Sequence, residues 1–367
     1  MPPPSPLRGG AAYGKVGLVQ AERAAEIFAE QRGYLLGVSY RLTSSWADAE
    51  DLVAEAWPRW AEHADEVVDP RAWLTRVVGR LSLDHLRSAR VRRETYVGPW
   101  LPEPLVTAAP VMVGGAGGFG SSGVGGGGGS AGGSGVGSAD TDVGGASGPG
   151  ADPLEILVRD ESVRMAFLVL LDELSPEQRL AVVLHDVLAI DFTDIADVLG
   201  CSVSNARQHA SRGRRRLSKA DPAPRQAAEL AWSVLDEMST ALFAGDIDRL
   251  TRLLAPDVVL MSDGAGKVTA ARRPVVGAAK VAGFLAGLVT RYGQGASVEP
   301  VLVNGDPGFL VRVDSAKLPV GRPGTSGKRA GAGAGIAPVS AYTFCLRGRQ
   351  IVAMYGVLAP DKLTRLR

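Results

Sequence analysis

Between residues 189 and 217 the chain reads AIDFTDIADVLGCSVSNARQHASRGRRRL, and these residue types are suited to contacting DNA. On a helical projection Asn205, Arg207, Gln208, Ser211, Arg212, Arg214 and Arg215 fall on one outward side. Arg and Gln on an exposed helix pair with base edges in a major groove, and the remaining arginines suit phosphates. Residues 201 to 220 hold six Lys or Arg and no acid. Arg207, Gln208, Ser211, Arg212 and Arg215 are the candidate DNA contacts. The competing reading is an ordinary helical hairpin with a solvated basic face. Seam, turn and basic face coincide here, and that favours DNA.

Two helices must position these groups. Phe192, Ile195, Ala196 and Leu199 recur at helical spacing. Gly200 ends that helix and Ser202 can cap the next. Val203, Ala206, Ala210, Gly213 and Leu217 form a narrow seam, small enough to lie close against the first helix. Upstream, Ser175-Pro176-Glu177-Gln178 and Asp152-Pro153-Leu154-Glu155 both read as capping boxes with Pro at the first helical position.

The net charge is only +1, but its distribution is uneven. Residues 44 to 70 hold eight acids against Arg59, whereas 71 to 93 hold seven Arg against Asp84. An acidic face followed by a basic one suggests two different partners. Asp48, Asp51 and Glu55 share one helical face. Asp69-Pro70 starts a helix with Trp73, Leu74, Val77, Val78, Leu81 and Leu86 inward and Arg80, Asp84, Arg87 and Arg90 outward, continued by Arg92 and Arg93. Pro58 should kink or end the preceding helix. Trp57 and Trp60 could stack on bases, but their apolar face makes core packing the better reading.

The 367 residues are enough for two or three domains. Residues 111 to 150 contain 19 Gly, a composition that reads as a tether spanning roughly 35 Å. Residues 1–17 read as a loose tail and 314–338 as a flexible loop. The expected division is a helical part at 18–97, a linker at 98–151, a second helical part at 152–218 and a mixed part at 225–367. The last holds helices near 226–244, 246–254 and 277–290, and strands at 257–262, 297–303, 308–313, 339–346 and 350–358. Two cysteines, Cys201 and Cys345, make no disulfide framework and fit a reducing compartment. No apolar run reaches the roughly 20 residues of a membrane span, so no membrane partner and a cytoplasmic protein are expected.

At this point the chain resembles the extracytoplasmic-function sigma factors of the sigma-70 class. WADAEDLVAEAW (46–57) is similar to the family's core-polymerase-binding segment. PRAWLTRVVGRLSLDHLRSARVRRE (70–94) is similar to its −10 segment, and LSPEQRLAVVLHDV (174–187) with the helix-turn-helix to its −35 reader. YVGPWLPEPL (96–105), SDGAGK (262–267) and APDKL (359–363) resemble motifs of a subgroup with a SnoaL-like, NTF2-like C-terminal extension, although Ala265, Ala359 and Ala54 depart from the family pattern. The resemblance implies two all-α sigma domains plus an α+β cone. It implies core RNA polymerase (β′ and β subunits) as partner of Asp48, Asp51 and Glu55. It implies promoter duplex for the −35 set and a −10 single strand for Arg80, Asp84, Arg87, Arg90, Arg92 and Arg93. It also implies that Asp263, Gly264, Gly266, Lys267, Asp361 and Lys362 dock on the sigma core and tune it.

Two further readings stay open. One is a ligand-sensing helix-turn-helix regulator independent of polymerase, and the other is a cone enzyme tethered to DNA. No His follows His209, and Asp257, Asp263 and Asp306 at strand ends suit caps and turns better than acid–base work. The sequence therefore points to no enzyme, no catalytic residue, no metal and no cofactor, with a small ligand of the cone as an added candidate partner.

Overall fold

The structure is a computed structural model that describes residues 10–93, 96–109, 157, 160–218, 223–314, 316 and 335–366, with side chains in 10–19 and 90–93 left aside. The Gly-rich stretch, the first predicted capping box (152–155) and most of the 314–338 loop fall outside these residues.

Three helices open the chain: α1 (Gly10–Thr43), α2 (Trp46–His63) and α3 (Pro70–Arg93). The helix α1 begins at Gly10, so the second half of the expected tail is helical; each residue added to a formed helix gains a hydrogen bond without a new nucleus. Pro58 does not end α2, which runs on to His63. The last turn is held from outside: Trp60 is fully buried and its Nε1 donates to Ala24 O at 2.8 Å. Trp57 packs edge-on against Phe28, so both tryptophans are core residues. Asp69 accepts from Ala72 N at 3.0 Å at the start of α3, as its spacing predicts.

The strand β1 (Val106–Ala108) follows, then α4 (Met165–Leu171), α5 (Pro176–Val182) with a π-type turn at Val183–Val187, α6 (Phe192–Leu199) and α7 (Val203–Leu217). The Ser175/Gln178 capping box is formed. Gly200 closes α6 in the left-handed conformation, φ 66°, and Ser202 caps α7. The α7 seam is buried, but it meets α5 as well as α6: a Cβ on Gly213 would lie 2.6 Å from Val182 and 3.3 Å from Gln178 O. Side chains of α1–α3 and α4–α7 form one continuous hydrophobic core, from Phe28, Leu35 and Trp60 to Leu180, Ile195 and Ala206.

The remaining chain builds the cone: α8 (Ala228–Ala244), α9 (Ile247–Leu253), β2 (Leu254–Asp263), β3 (Val275–Val276), α10 (Ala278–Tyr292), β4 (Ala296–Val303), β5 (Asp306–Val313), β6 (Val339–Arg347) and β7 (Gln350–Val357). The sheet order is β1-β4-β5-β6-β7-β2-β3, antiparallel except for β2 against β7. Helices α8–α10 pack on one face around Trp232, Leu235, Phe309 and Phe344. The other face buries Val301, Leu310 and Val357 with Leu101 of the linker and Met165 of α4. The strand β1 lies in the expected linker, yet it pairs with β4 (Val106 opposite Val303). Within the expected loop, Thr269 N donates to Gly335 O and Val313 N to Pro338 O, so 335–338 are tied to the cone.

Candidate nucleic-acid interface

The helix α7 is built as its sequence predicts. Ala206, Ala210 and Gly213 are buried, while Arg207, Gln208, Ser211, Arg212 and Arg215 are all exposed. Neighbours brace part of the basic face. Arg214 pairs with Asp186 at 3.0 Å, Arg216 donates to Glu173 O at 3.1 Å, and the Arg207 guanidinium lies 5.6 Å from the Phe192 ring centre. One face of α7 is thus a free array of donors of the kind that reads base edges and phosphates.

The acidic face of α2 is partly engaged. Asp51 and Glu55 are exposed, with Glu55 held by Arg59 at 3.1 Å. Asp48 sits 3.2 Å from His85 Nε2, and the neighbouring Glu50 pairs with Arg365 from the far end of the chain at 3.1 Å. Arg365 also lies over Trp46. The N-terminus of α2 is capped by Ser45 and by Glu103, which accepts from Trp46 N at 2.8 Å and Ala47 N at 3.2 Å. Burial holds the Glu103 carboxyl above its usual range, against the pull of those amides.

The basic face of α3 is bridged to α5 and α6, although Arg80, Asp84 and Arg87 stay exposed. Arg76 donates to Asp194 at 2.8 Å and Arg80 to Asp197 O at 2.7 Å. Arg87 reaches Glu177 at 3.1 Å and lies 3.6 Å from Asp84. Burial raises the Glu177 carboxyl, but its own amide and Arg87 outweigh that and leave it lowered. Arg90, Arg92 and Arg93 lie in the last turns of α3, and their side chains are outside the described residues. Arg76 and Asp194 were not singled out in the sequence, and Glu177 was read only as part of a helix cap; only their opposite charges hinted at pairing.

The two cone motifs meet on the linker segment. Asp263, fully buried, accepts from Tyr96 Oη at 2.6 Å, Leu101 N at 2.9 Å, Ala265 N at 3.0 Å and Lys362 Nζ at 2.8 Å. Lys362 also donates to Leu101 O and lies 4.0 Å from the Trp100 ring centre. Lys267 pairs with Asp361. Gly264 lies where a Cβ would meet Val268 O at 2.8 Å, and Gly266, φ +67°, faces Val97. The expected surface for these groups was the sigma core; the surface they touch is the segment at 96–101 that leads out of it.

A second junction was not foreseen. Asn304 stands at the β4–β5 turn with φ 53°, ahead of Gly305, the Asn-Gly pair favoured in tight hairpins. Its Nδ2 donates to Tyr40 Oη and to Val163 O, each at 2.7 Å, and its Oδ1 accepts from Leu105 N at 3.1 Å. Beside it Asp306 is buried between Arg164 at 2.8 Å and Arg225 at 3.0 Å. Asp306 is thus a structural anion, and Asp257 is exposed. Cys345 is buried nearby and its thiol is pushed up to about 12. Among the described residues no group of His, Cys, Asp and Glu is arranged to hold a metal, and no helix is long and apolar enough to cross a membrane.

Comparison with known proteins agrees with this geometry. Sigma-70 region 2 matches residues 27–92, and Sigma-70, region 4 matches 164–217. The ECF RNA polymerase sigma factor SigJ of Mycobacterium tuberculosis is 38% identical over 346 residues, covering 92% of this chain and 92% of its own. A probable ECF sigma factor of the same organism, SigI, is 28% identical over 67% of this chain and 69% of its own. The crystal structure of M. tuberculosis SigJ superposes with a TM-score of 0.63 at 36% identity, over 93% of this chain and 98% of that one. The α1–α3 and α4–α7 bodies, with α7 presented outward, belong to a transcription initiation factor that works with RNA polymerase and promoter DNA: the chain is a member of the extracytoplasmic-function sigma factor family.

Proposed function

We propose that this sigma factor rests in a self-docked state in which its second helical body is tied to the −10 surface until polymerase and promoter compete for it. In this reading α7 reads the −35 element through Arg207, Gln208, Ser211, Arg212 and Arg215. Asp48, Asp51 and Glu55 on α2 dock on the polymerase β′ and β subunits. Arg80, Asp84, Arg87, Arg90, Arg92 and Arg93 handle the −10 strand. Asp263, Gly264, Gly266, Lys267, Asp361 and Lys362 set the position of the linker, and through it the spacing of the two DNA readers.

The observation that supports this most directly is Arg80 donating to Asp197 O at 2.7 Å, with Arg76 and Arg87 on either side paired to Asp194 and Glu177. Elements centred near −35 and −10 lie about 25 base pairs apart, or about 85 Å at about 3.4 Å per pair. Reader domains in contact cannot occupy both. In this reading promoter engagement requires α3 to leave α5 and α6, and the carboxylates at that contact compete with DNA phosphates for Arg76 and Arg87. Among the described residues the cone's cavity is lined by no acid–base pair, and in this reading the cone acts as a regulator. A cytoplasmic place of action follows from the polymerase partner.

The test is run-off transcription by the full chain with core polymerase on a library of promoter fragments, alongside Asp263→Asn. Point variants suit the question better than truncation, because Leu101 and Met165 are buried against the cone. Specific initiation by the wild type, altered by Asp263→Asn, supports the reading. No initiation, together with tight binding of the free protein to a palindromic site, would replace it with a polymerase-independent regulator.

A further inference from the structure

The cone encloses a cavity of about 290 Å³ between its helices and the concave side of the sheet. That is at the low end of the range of small-molecule sites, roughly 300–1,000 Å³. Its walls come from Met238 and Leu242 on α8, Leu288 on α10, and Phe309, Val311 and Phe344 on the sheet. No charged side chain lines it among the described residues. The polar groups there are hydroxyls, and the inner ones are already used: Ser239 donates to Leu235 O at 2.8 Å, and Ser262 accepts from Ala271 N at 2.9 Å. Such a lining penalises any ion that must leave its water behind. An apolar space of this kind stays dry unless an apolar guest enters.

A second observation concerns the rim. Phe243 and Ile336 are large apolar side chains that stay 58% and 38% exposed, and both line this cavity. Exposed apolar groups gathered at the mouth of an apolar cavity are the pattern of an entry path.

The cavity wall also continues into the grip on the linker. Ser262 lines the cavity, and the next residue along β2, Asp263, holds Tyr96 and Leu101. Leu358 lines it too, its amide donates to Asp263 O at 2.8 Å, and the chain then turns directly into the segment that carries Lys362. A guest that moves either wall residue moves a holder of residues 96–101.

We propose that the cone is a receptor for an uncharged, largely hydrocarbon small molecule, and that its occupancy is transmitted through Ser262 and Leu358 to the Asp263–Lys362 grip on the linker. The binding half stands by itself; the transmission half rests on the reading that the cone controls the sigma regions. The full-length chain is titrated with the neutral fluorophore N-phenyl-1-naphthylamine, and the bound dye is then competed with decanol or decanoate at neutral pH. Saturable one-to-one binding is expected. Decanol should displace the dye, and decanoate should be weaker by about tenfold or more because its carboxylate would be buried unpaired. Leu288→Trp, which fills the cavity, should weaken dye binding by about tenfold with thermal unfolding little changed. If that variant misfolds, the decanol–decanoate contrast in the wild type decides alone. Absence of saturable binding, or equal competition by decanoate, overturns the site. Hydrogen exchange of residues 96–105 with and without decanol reads the transmission: changed protection supports it, and unchanged protection with saturated binding overturns it. Neither assay contains polymerase, so failure of the sigma reading in run-off transcription is separate from failure here.

Discussion

Asn304 Nδ2 lies 2.7 Å from Tyr40 Oη, and this one hydrogen bond joins a hairpin tip of the cone to the first helix of the chain. Both residues are buried, and Tyr40 Oη donates in turn to the backbone carbonyl of Glu103 at 2.8 Å. The same amide holds Val163, and its carbonyl holds Leu105. Four segments distant in sequence therefore depend on one side chain. Tyr40→Phe removes the hydroxyl and leaves Asn304 Nδ2 and Glu103 O each short of a partner. A loss of about 1–3 kcal/mol is expected in thermal or denaturant unfolding, with faster hydrogen exchange in 101–105. Unchanged stability would mean that water replaces the hydroxyl without loss.

Arg76–Asp194 and Arg87–Glu177 are partly exposed pairs, so each contributes little, about 0.2–1 kcal/mol. Removing both with Asp194→Ala and Glu177→Ala should favour release of α3. Affinity for a −10 single strand should rise about two- to tenfold, most clearly at low salt. An unchanged affinity would show that the apolar core shared by the two helical bodies, not these pairs, sets the docking.

Arg212 is exposed in α7 with no acid bridging it among the described residues. Arg212→Ala should cost about 1–3 kcal/mol in −35 binding and relax preference at one base pair if it is bidentate to guanine. A uniform loss over all sequences with a shallower salt slope would place it on a phosphate instead.

Ala265 stands in the left-handed region with φ 52°, at the position where the resembled motif carries Gly. A side chain there is strained, whereas Gly adopts this conformation freely. Ala265→Gly should stabilise the protein by about 0.5–1 kcal/mol, seen as a higher unfolding midpoint. No gain would mean that the added freedom of Gly in the unfolded chain cancels the relief.

Acid should loosen the self-docked state. For Asp160, burial raises the carboxyl, but bonds from Ser162 and the charge of Arg41 outweigh it, leaving it below its ordinary 3.8; Glu177 lies below its ordinary 4.5. Lowered carboxyls contribute stability that is present above the ordinary values and lost as pH falls through the folded ones. Glu103 is raised, so its contribution has the opposite sign: full below 4.5 and lost as pH rises through its folded value. Small-angle scattering from pH 7 downward should show expansion only below about 4.5, with Glu177→Gln blunting it. Expansion that begins near neutrality would implicate groups other than these carboxylates.

Local order was legible in the sequence because local chemistry sets it. Ser202, Gly200 and the small-residue seam predict α6, α7 and their outward basic face. The Asp69-Pro70 and Ser175–Gln178 caps fix helix starts, and the alternating runs after 254 become the sheet. Of the two outcomes open at Pro58, an end of the helix does not occur, because helix-breaking is a local preference and the packing of Trp60 against Ala24 is a tertiary term that holds the last turn. Residues 98–108 read as linker because a single β1 strand has no partner within its own window; β4 supplies one from nearly two hundred residues away. The same reason hid Asn304: its Asn-Gly turn was local, but Tyr40, Leu105 and Val163 were not. By itself the sequence determined most of the helices and strands and which residues α7 turns outward. Only the tertiary structure decided that α3 faces α6, that Asp263 and Lys362 meet on the linker, and that the cone closes over an uncharged cavity, because each depends on long-range packing that no local pattern encodes.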